Sequence, residues 1–563
     1  MGFPCVFASL RLCVKTMSIL TYIWGIPLLA ALALVLVPRN YRVPIRGMAV
    51  LATLISAVLA IKMFCLFAPG ATGYQFEQQI PWVTSLGISY HVGVDGINVG
   101  LILMGAIVAL AAALCSFEIR SREKEFYILL LLMSGGILGA FASLDLFFFY
   151  FLHELALVPT FIMIGVWGRG EKKNLATFQI TLYLSVGALI ALLGLIALYV
   201  LSGANTFDIP KLIDYVKLHP LSVSAQNAIF PLLLFGFGIL VSLWPFHSWA
   251  PLGYGVAPSP TAMMHAGVLK KFGLYGLIRI ALPLLPAAFH TPVLAPGVFT
   301  HFPLFLIPAG WQTSLLSLGW VDILALLCVG NILFIGWVAM RQRDLNLLIG
   351  NSSVAHMGFI FLGIASLNLI GVSGAILIMI AHGFLAALTF ALSGYIYQQT
   401  GTLQMSDLGG LCRKLPFIGT ALLMAAMAGC GLPGFANFVG EASVFFGAWT
   451  AFPTITILAL WGGLVIGGIY MTRAIRNILH GPLSEKWESL TDATSLWRKL
   501  PYALLLASLI VLGFWPRLLT EKINPDAALV VASFQPPANV SASAQPQAAP
   551  RAVTGQQLAL ENK

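Results

Sequence analysis

Charged residues are scarce in this 563-residue chain, at 9% of the sequence, whereas about 25% is usual for a soluble domain. Hydrophobic residues make up 59%, and the mean hydropathy is +0.92. These values exclude a soluble domain and predict a protein of the lipid bilayer. The net charge of +10 does not indicate nucleic-acid binding, because the basic residues lie in short loops between apolar segments. We therefore expect no nucleic-acid partner.

Cysteine motifs are also missing. No two cysteines form a CxxC pair, and none has a histidine at the spacing of a metal site. The pattern offers no ligand set for zinc, haem or an iron–sulfur cluster. We expect no metal, no cofactor and no redox chemistry in this chain. The seven cysteines are Cys5, Cys13, Cys65, Cys115, Cys328, Cys412 and Cys430.

Apolar runs of about 20 residues, long enough to cross the hydrocarbon core, recur along the chain. They predict an all-α polytopic membrane protein with about fourteen transmembrane helices. The predicted helices, numbered 1 to 14, are 17–37, 46–68, 98–117, 125–142, 145–167, 175–202, 227–246, 257–286, 317–340, 345–366, 369–397, 415–449, 451–475 and 501–519.

The two ends of the chain lie outside this transmembrane domain, which we predict to be 17–519. The first 16 residues are weakly patterned, so they form an N-terminal lead or precede a true start at Met17. A cleaved signal peptide is not indicated, because 17–37 is long enough to span and lacks a clear cleavage site. The segment 520–563 is rich in Ala, Pro, Gln and Ser, and we predict a disordered tail.

Basic residues predict the orientation of the helices. They cluster in alternate loops, which places them on one side of the membrane. By the positive-inside rule that side is the cytoplasm, so both termini face outward. The clusters are Arg39, Arg42 and Arg46; Arg120, Arg122 and Lys124; Arg169, Lys172 and Lys173; Arg341 and Arg343; Arg413 and Lys414; and Arg473, Arg476, Lys486, Arg498 and Lys499.

Two predicted helices contain breaks. Helix 7 is interrupted by WPFHSWAP at 244–251, and helix 12 by GLPGFANF at 431–438. Broken helices at matching positions are typical of transporters built from repeats, where irregular backbone lines a polar cavity. We therefore predict two five-helix repeats, helices 4–8 at about 125–286 and helices 9–13 at about 317–475. The odd number of helices makes the second repeat inverted relative to the first.

Few ionisable residues fall within the predicted helices. A charged group at the bilayer centre costs roughly 2.5 to 3.5 kcal/mol, so such residues usually have a charge to move or to hold. In chain order they form a series of acid, bases, histidines and acid, which suits stepwise proton transfer through a nearly dry medium. The candidate site residues are Glu154, Lys270, Lys271, His356, His382 and Glu441.

Each candidate residue can also be interpreted as one that only stabilises the fold. Glu154 is a possible hydrogen-bonding acid of the helix, and either histidine is a possible core residue. Lys270 lies about 100° around the helix from Lys271, so the two lysines do not share one environment. His153, His247 and His265 are weaker candidates for proton transfer.

Several sequence segments of the chain, taken together, form a set that is specific to one protein family. The set resembles the M-subunit family of respiratory complex I, the proton-pumping NADH:quinone oxidoreductase, which is related to subunits of Mrp antiporters and of membrane-bound hydrogenases. The resemblance runs from about helix 1 to helix 14. The segments are SLGISYHVGVDGI (85–97), FYFLHELALVPTFIMIGVWG (149–168), WPFHSW (244–249), AGVLKKFGLYGLIRI (266–280), RDLNLLIGNSSVAHMGF (343–359), MIAHGFLAALTFALSGYIY (379–397) and GLPGFANFVGEASVFFG (431–447).

The resemblance implies roles for the candidate residues. Glu154 corresponds to the helix 5 glutamate, Lys271 to the helix 8 lysine and Glu441 to the glutamate at the outlet, with His356 and His382 as the central histidines. The chain departs from the pattern where Leu240 replaces the helix 7 lysine that pairs with the helix 5 glutamate. Leu252 and Asn346 replace an acid and a lysine. Because Leu240 removes the cation that would offset Glu154, we hypothesise that Lys270 compensates.

The resemblance implies a proton-translocating membrane-arm subunit of a translocase, NADH:quinone oxidoreductase, in the bacterial plasma membrane. NADH, FMN, iron–sulfur clusters and quinone would be bound by partner subunits, and the direct partners would be other antiporter-like subunits. Two alternatives stay open. One is an Mrp-like or carbon-uptake cation/proton antiporter subunit, and the other is a non-pumping scaffold paralogue, which Leu240 favours.

Overall fold

The computed structural model describes residues 17–292 and 318–534, and within these ranges the chain is a bundle of long apolar helices. Twelve helices in the described ranges are long and apolar enough to cross a membrane. Two further predicted spans, α8 and α12, are present but interrupted, which agrees with about fourteen. The helices are α1 Ile19–Leu36, α2 Arg42–Leu66, α3 Val99–Cys115, α4 Glu123–Ala142, α5 Leu146–Trp167, α6 Lys173–Ser202, α7 Val223–Val241, α8 (five segments from Ser259–Met264 to Leu282–Leu284), α9 Trp320–Arg341, α10 Leu345–Ala365, α11 Leu369–Thr400, α12 (Pro416–Gly429 and Ala436–Ala451), α13 Pro453–Leu479 and α14 Leu496–Phe514.

The breaks lie where the sequence predicts them. After α7, Ser242 has a left-handed backbone, and the chain turns before the short helix Trp249–Val256. In α12, Gly431 and Gly434 have positive φ angles of 65° and 96°, which glycine adopts without steric cost. The predicted breaks in helices 7 and 12 are thus present, while the inverted relation of the two repeats stays a prediction.

The basic loops of the first helices lie on one side of the bundle. Arg39 contacts Glu125 at 2.7 Å, and Arg46 contacts Glu123 at 2.9 Å, which joins the start of α2 to the start of α4. Arg169, at the end of α5, is 3.5 Å from Glu118 after α3. These ion pairs place three of the predicted basic clusters at the same end of the helices.

A β-hairpin covers the other end, in the segment between the predicted helices 46–68 and 98–117. Its strands, β1 Gln75–Val83 and β2 Ile88–Val94, pair in an antiparallel register with two irregularities. The register sets Gln79 opposite His91. The same end of the bundle also carries the short helix Ile209–Leu218. Further short helical segments are Thr84–Leu86, Ser116–Glu118, Pro286–His290, Leu411–Arg413 and Glu485–Trp487.

The prediction of a disordered tail from 520 is wrong for its first part, because Arg517–Ala532 forms a helix, α15. Its buried residues recur every four positions, so they form one apolar face that packs against α11. The Nζ of Lys522 donates to the Phe67 carbonyl at 3.0 Å. Residues 535–563, like 1–16 and 293–317, lie outside the described residues. The face consists of Leu519, Ile523, Ala527 and Val531.

The core lies around α3, α10 and α11, which the other helices enclose. Glycines bring α11 and α12 into close contact. A Cβ added to Gly447 would lie 2.4 Å from the backbone nitrogen of Gly371, and one on Gly440 would lie 2.9 Å from that of Ile378. Small residues that allow close backbone approach are typical of membrane helix packing. This crossing fixes His382 on α11 relative to Glu441 on α12.

Candidate functional site

Glu154 lies on α5, at the side of the bundle. Asp145 caps the helix by accepting hydrogen bonds from the nitrogens of Phe147 and Phe148. The Glu154 side chain is 30% exposed, and its Oε1 is 3.4 Å from Nδ1 of His153, which is buried. In the described residues, no hydrogen bond to this Oε1 is present. The acid therefore stands at the bundle surface with a histidine, rather than a lysine, as its near neighbour.

The two lysines of α8 follow a π-helical turn, His265–Leu269. Such turns insert one extra residue into a helix and are frequent at functional sites. Lys270 and Lys271 are 1% and 0% exposed. Within the described ranges, neither lysine forms an ion pair with a carboxylate. Two buried amines without an acid beside them are costly, which favours a role in charge movement.

The lysines point to different helices, as predicted from their angular separation. Lys271 Nζ donates to the Ala266 carbonyl at 2.6 Å and is 2.9 Å from Nδ1 of His382 on α11. Lys270 Nζ contacts Oγ of Ser353 on α10 at 3.4 Å. Lys270 thus points away from Glu154, so the geometry gives no contact in support of the hypothesis that it compensates for Leu240.

His382, His356 and Glu441 continue the line from Lys271. The ring centroids of the two histidines are 5.4 Å apart. His356 donates from Nδ1 to the Ser352 carbonyl at 2.8 Å, which leaves Nε2 facing Oε1 of Glu441 at 3.6 Å. Glu441 is buried, and its Oε1 has no hydrogen-bond partner within the described part of the chain. Lys271, both histidines and Glu441 are therefore neighbours in space.

A small cavity lies between His356 and Glu441. Its volume of about 10 Å³ is enough for the centre of one water molecule, and Tyr470 and Gly429 also line it. The Tyr470 hydroxyl is 3.0 Å from Ser352 Oγ. One water held by these polar groups would bridge the 3.6 Å gap between imidazole and carboxylate.

A groove of about 450 Å³ opens on the other side of Glu441. Phe446 and Trp449 on its wall are 71% and 52% exposed. The groove reaches the lateral surface of the bundle, so Glu441 separates the interior line from that surface. The groove is lined by Gly431, Phe438, Glu441, Ala442, Phe445, Phe446, Trp449, Thr456, Leu460 and Leu464.

The broken end of α7 is held by α9. Asn331 accepts from the Trp244 nitrogen at 2.7 Å and donates to the carbonyls of Ser242 and Val354 at 3.0 Å each. The bonds to Trp244 and Ser242 satisfy backbone groups that the break leaves unpaired inside the bundle, and the bond to Val354 joins them to α10. Leu240 is buried just before this break, so α7 presents an apolar side chain where the resemblance implied a lysine.

Two histidines that the sequence marks as weak candidates are buried near the site, and one buried ion pair is not predicted from the sequence. His153, next to Glu154, and His265, whose Nδ1 is 2.9 Å from the Tyr254 hydroxyl, are both buried. Arg279 on α8 forms a bidentate pair with Asp95, with both N–O distances 2.6 Å. The only sequence signal for this pair was a charge inside an apolar string, and 184 residues separate the partners.

A second polar cluster lies at the hairpin end, outside the membrane spans. His91 is 2.8 Å from both Asp208 and Glu77. Burial opposes its charged form, but the hydrogen bonds to the two carboxylates prevail and raise the pKa of His91. Asp208 is buried too, and its bond to His91 lowers its pKa. Burial, with a smaller contribution from Asp208, raises the pKa of Asp145 to about 6 in spite of its backbone hydrogen bonds.

Comparison with known proteins decides the family. The family described as NADH:quinone oxidoreductase/Mrp antiporter, TM, matches residues 143–303 and 304–467, more than half of the chain. The chain belongs to this family. It is 32% identical to NAD(P)H-quinone oxidoreductase chain 4 1 of Synechococcus elongatus, over 93% of this chain and 94% of the relative. It is 29% identical to NADH-quinone oxidoreductase subunit M of Rhodobacter capsulatus, over 92% and 97%.

Solved structures agree with this family membership. Respiratory complex I from Thermus thermophilus contains a chain with a TM-score of 0.79 and 25% identity, covering 92% of this chain and all of that one. A chain of the Mrp complex from Dietzia sp. has a TM-score of 0.75 at 19% identity, covering 92% and 99%, and shows the shared fold. The resemblance predicted from the motifs and the polytopic all-α fold are both confirmed.

Proposed function

We propose that this chain is a proton-translocating membrane-arm subunit of an NADH:quinone oxidoreductase. One observation carries the proposal: buried titratable side chains run from Lys271 through His382 and His356 to Glu441, with contacts of 2.9 Å and 3.6 Å at the two ends. An amine, an imidazole and a carboxylate exchange protons readily when their affinities are brought together. The relatives named as quinone oxidoreductase subunits support the same function.

The chain's own groups would move the proton, and the redox energy would come from elsewhere. Lys271 would release a proton to Nδ1 of His382, and the proton on the other ring nitrogen of His382 would pass to Nε2 of His356. That nitrogen would then give the proton to Glu441 through the water-sized cavity. Glu441 would deliver it to the lateral groove. NADH, FMN, iron–sulfur clusters and quinone would be held by partner subunits, and other antiporter-like subunits would pack beside this chain in the membrane.

The proposed setting is the inner membrane, with the basic loops in the cytoplasm and both termini outside. The ion pairs that gather Arg39, Arg46 and Arg169 at one end of the bundle support this orientation. The hairpin β1–β2 would then lie on the outer face. A reporter fused at the exposed inner loop near Lys172 should be accessible only from the cytoplasmic side.

Glu441→Gln tests the proposal, because the amide keeps the shape of the side chain but cannot carry a proton. Positioned acid–base groups contribute roughly 100-fold or more, so we expect proton transfer through this subunit to slow by about that factor. The measurement is dye-monitored acidification of membrane vesicles alongside NADH oxidation by the intact complex. The exposed His219→Gln is the control, and it should pump like wild type.

Leu240 favours one alternative, a scaffold subunit that has lost pumping. For a scaffold, Glu441→Gln would leave the number of protons moved per NADH at the wild-type value. An Mrp-like antiporter would instead exchange cations for protons in vesicles without NADH. Measurements on the same vesicles therefore distinguish the three proposed functions.

A further inference from the structure

Three polar atoms near the junction of α5 and α8 are buried without a hydrogen bond in the described parts of the chain. They are Oε1 of Glu154, Nδ1 of His153 and Nε2 of His265. Leaving a buried polar group unpaired is costly, so such atoms usually serve a purpose. Leu240 gives Glu154 no cation from α7. His153 and His265 are the histidines at this junction, beside Tyr150 on α5 and the two lysines of α8.

His153 is fixed between the acid and α8. Its Nδ1 is 3.4 Å from Glu154 Oε1, a distance that a small movement closes to a hydrogen bond. Its ring stacks on Phe272 with centroids 3.7 Å apart and an angle of 15° between the planes. Phe272 directly follows Lys271 in α8. The imidazole is therefore held against the helix that carries the lysines.

His265 lies on α8, on the other side of the contact between α5 and α8. Its π-helical turn packs against α5, and its Nδ1 is 2.9 Å from the Tyr254 hydroxyl. The Nζ of Lys270 lies 5.7 Å from the centroid of the Tyr254 ring. His265 thus lies between α5 and the buried amine of Lys270, with Nε2 unpaired.

We propose that His153 takes the place of the cation that Leu240 removes, and that it links Glu154 to His265 and the lysines of α8. The Glu154 O–H bond breaks as an N–H bond forms at Nδ1 of His153, and the proton on the other ring nitrogen leaves toward His265. The imidazole ends with the charge it began with. This link rests on the proposed function, because it supplies protons to the same line.

The position of Leu240 provides a rescue test. Phe149 on α5 and Phe237 on α7 have ring centroids 6.3 Å apart, and both helices start at the hairpin side of the bundle. Residues three to five positions further along, His153–Glu154 and Leu240–Val241, are therefore at the same depth. A lysine at 240 would return a cation to α7 at the level of Glu154.

The experiment uses membrane vesicles with the intact complex and compares His153→Gln, His153→Gln/Leu240→Lys, Lys271→Ala and the exposed control His219→Gln. Protons moved per NADH oxidised are measured, together with the amount of assembled complex. We expect His153→Gln to lower the ratio toward that of Lys271→Ala, and Leu240→Lys to restore it at least in part. A structural role of His153 on Phe272 would not be restored by a cation on α7.

Two results would overturn the link: an unchanged ratio in His153→Gln, or a lowered ratio that Leu240→Lys does not restore. Lys271→Ala separates the two proposals. If Lys271→Ala lowers the ratio while His153→Gln does not, only the histidine link is wrong. If neither variant changes the ratio, the proposed pumping function is wrong as well.

Discussion

Leu240 stands in the core of α7, one residue before the helix ends. An apolar side chain there stabilises the packing of α7, but it leaves the carboxyl group of Glu154 without a cation from that helix. At a partly exposed position in the membrane, an unpaired carboxylate is disfavoured. The acid thus depends on His153 or on a neighbouring subunit for a partner. Under the proposed function, this residue determines whether α7 or His153 supplies the partner of Glu154.

The Asp95–Arg279 pair makes a prediction at the same scale. Asp95→Asn removes the negative charge beside the buried guanidinium and leaves it one amide oxygen and the hydroxyls of Tyr74 and Tyr275 as acceptors. Removing one member of a buried pair costs about 3 to 5 kcal/mol. We expect a clear fall in the midpoint of thermal unfolding of the detergent-solubilised protein.

The control for this pair removes both charges. Asp95→Leu with Arg279→Met should recover much of the lost stability, because no charge is then left unpaired. An unchanged midpoint in Asp95→Asn would show that the pair does not hold α8 to the hairpin end.

The His91 cluster predicts a pH dependence. Since the pKa of His91 is raised, its contribution to stability is complete below the ordinary value of 6.5 and is lost as pH rises through the raised value. The lowered pKa of Asp208 makes its contribution complete above 3.8. Asp145, with a pKa of about 6, also destabilises the cluster as pH rises. Glu77 and Lys211 face the same cluster.

We therefore expect hydrogen exchange of strand β2 to become faster, relative to the intrinsic rate, as pH rises from 5 to 8. His91→Gln should remove most of this change while Asp145 retains its own part. Exchange protection in β2 that stays constant over the range would contradict the account of this cluster.

At the scale of elements, the crossing of α11 and α12 sets the distance between His382 and Glu441. Gly447→Ala places a methyl group 2.4 Å from the Gly371 backbone, where only backbone movement makes room. Overpacking of this kind costs about 1 to 3 kcal/mol. We expect a lower unfolding midpoint and weaker proton pumping, because the two helices must separate.

Gly468→Ala is the matched control, since nothing lies within 4 Å of a Cβ at that position of α13. It should behave like wild type in both measurements. Equal behaviour of the two variants would show that α11 and α12 tolerate separation.

Elements differ in how far the sequence predicts them. Apolar runs of 20 residues and the Pro–Gly breaks are local signals, so the spans and both breaks were predicted correctly. The hairpin β1–β2 gives a weaker signal, because β1 contains Pro81, which cannot donate a ladder hydrogen bond, and its pairing has two irregularities. Helix α15 was not predicted, because Pro525 and the polar residues around it interrupt the apolar pattern that carries its four-residue repeat.

At the scale of the whole molecule, residues from four helices form the candidate site. Titratable residues are rare in apolar helices, so the sequence alone predicted a series of Glu154, Lys270, Lys271, His356, His382 and Glu441. The structure brings the last three together with Lys271. Sequence alone provided no means of finding which lysine meets His382, since that contact joins residues 111 positions apart. The weak rating of His153 had the same cause: its stacking on Phe272 depends on how α5 packs against α8.

The most direct test of the central claim is the number of protons moved per NADH oxidised by the intact complex in membrane vesicles, with Lys271→Ala compared with wild type. The exposed Lys62→Ala is the matched control, because it removes the same charge outside the line. We expect a lower ratio in Lys271→Ala and the wild-type ratio in Lys62→Ala. A wild-type ratio in Lys271→Ala, with the complex fully assembled, would contradict it.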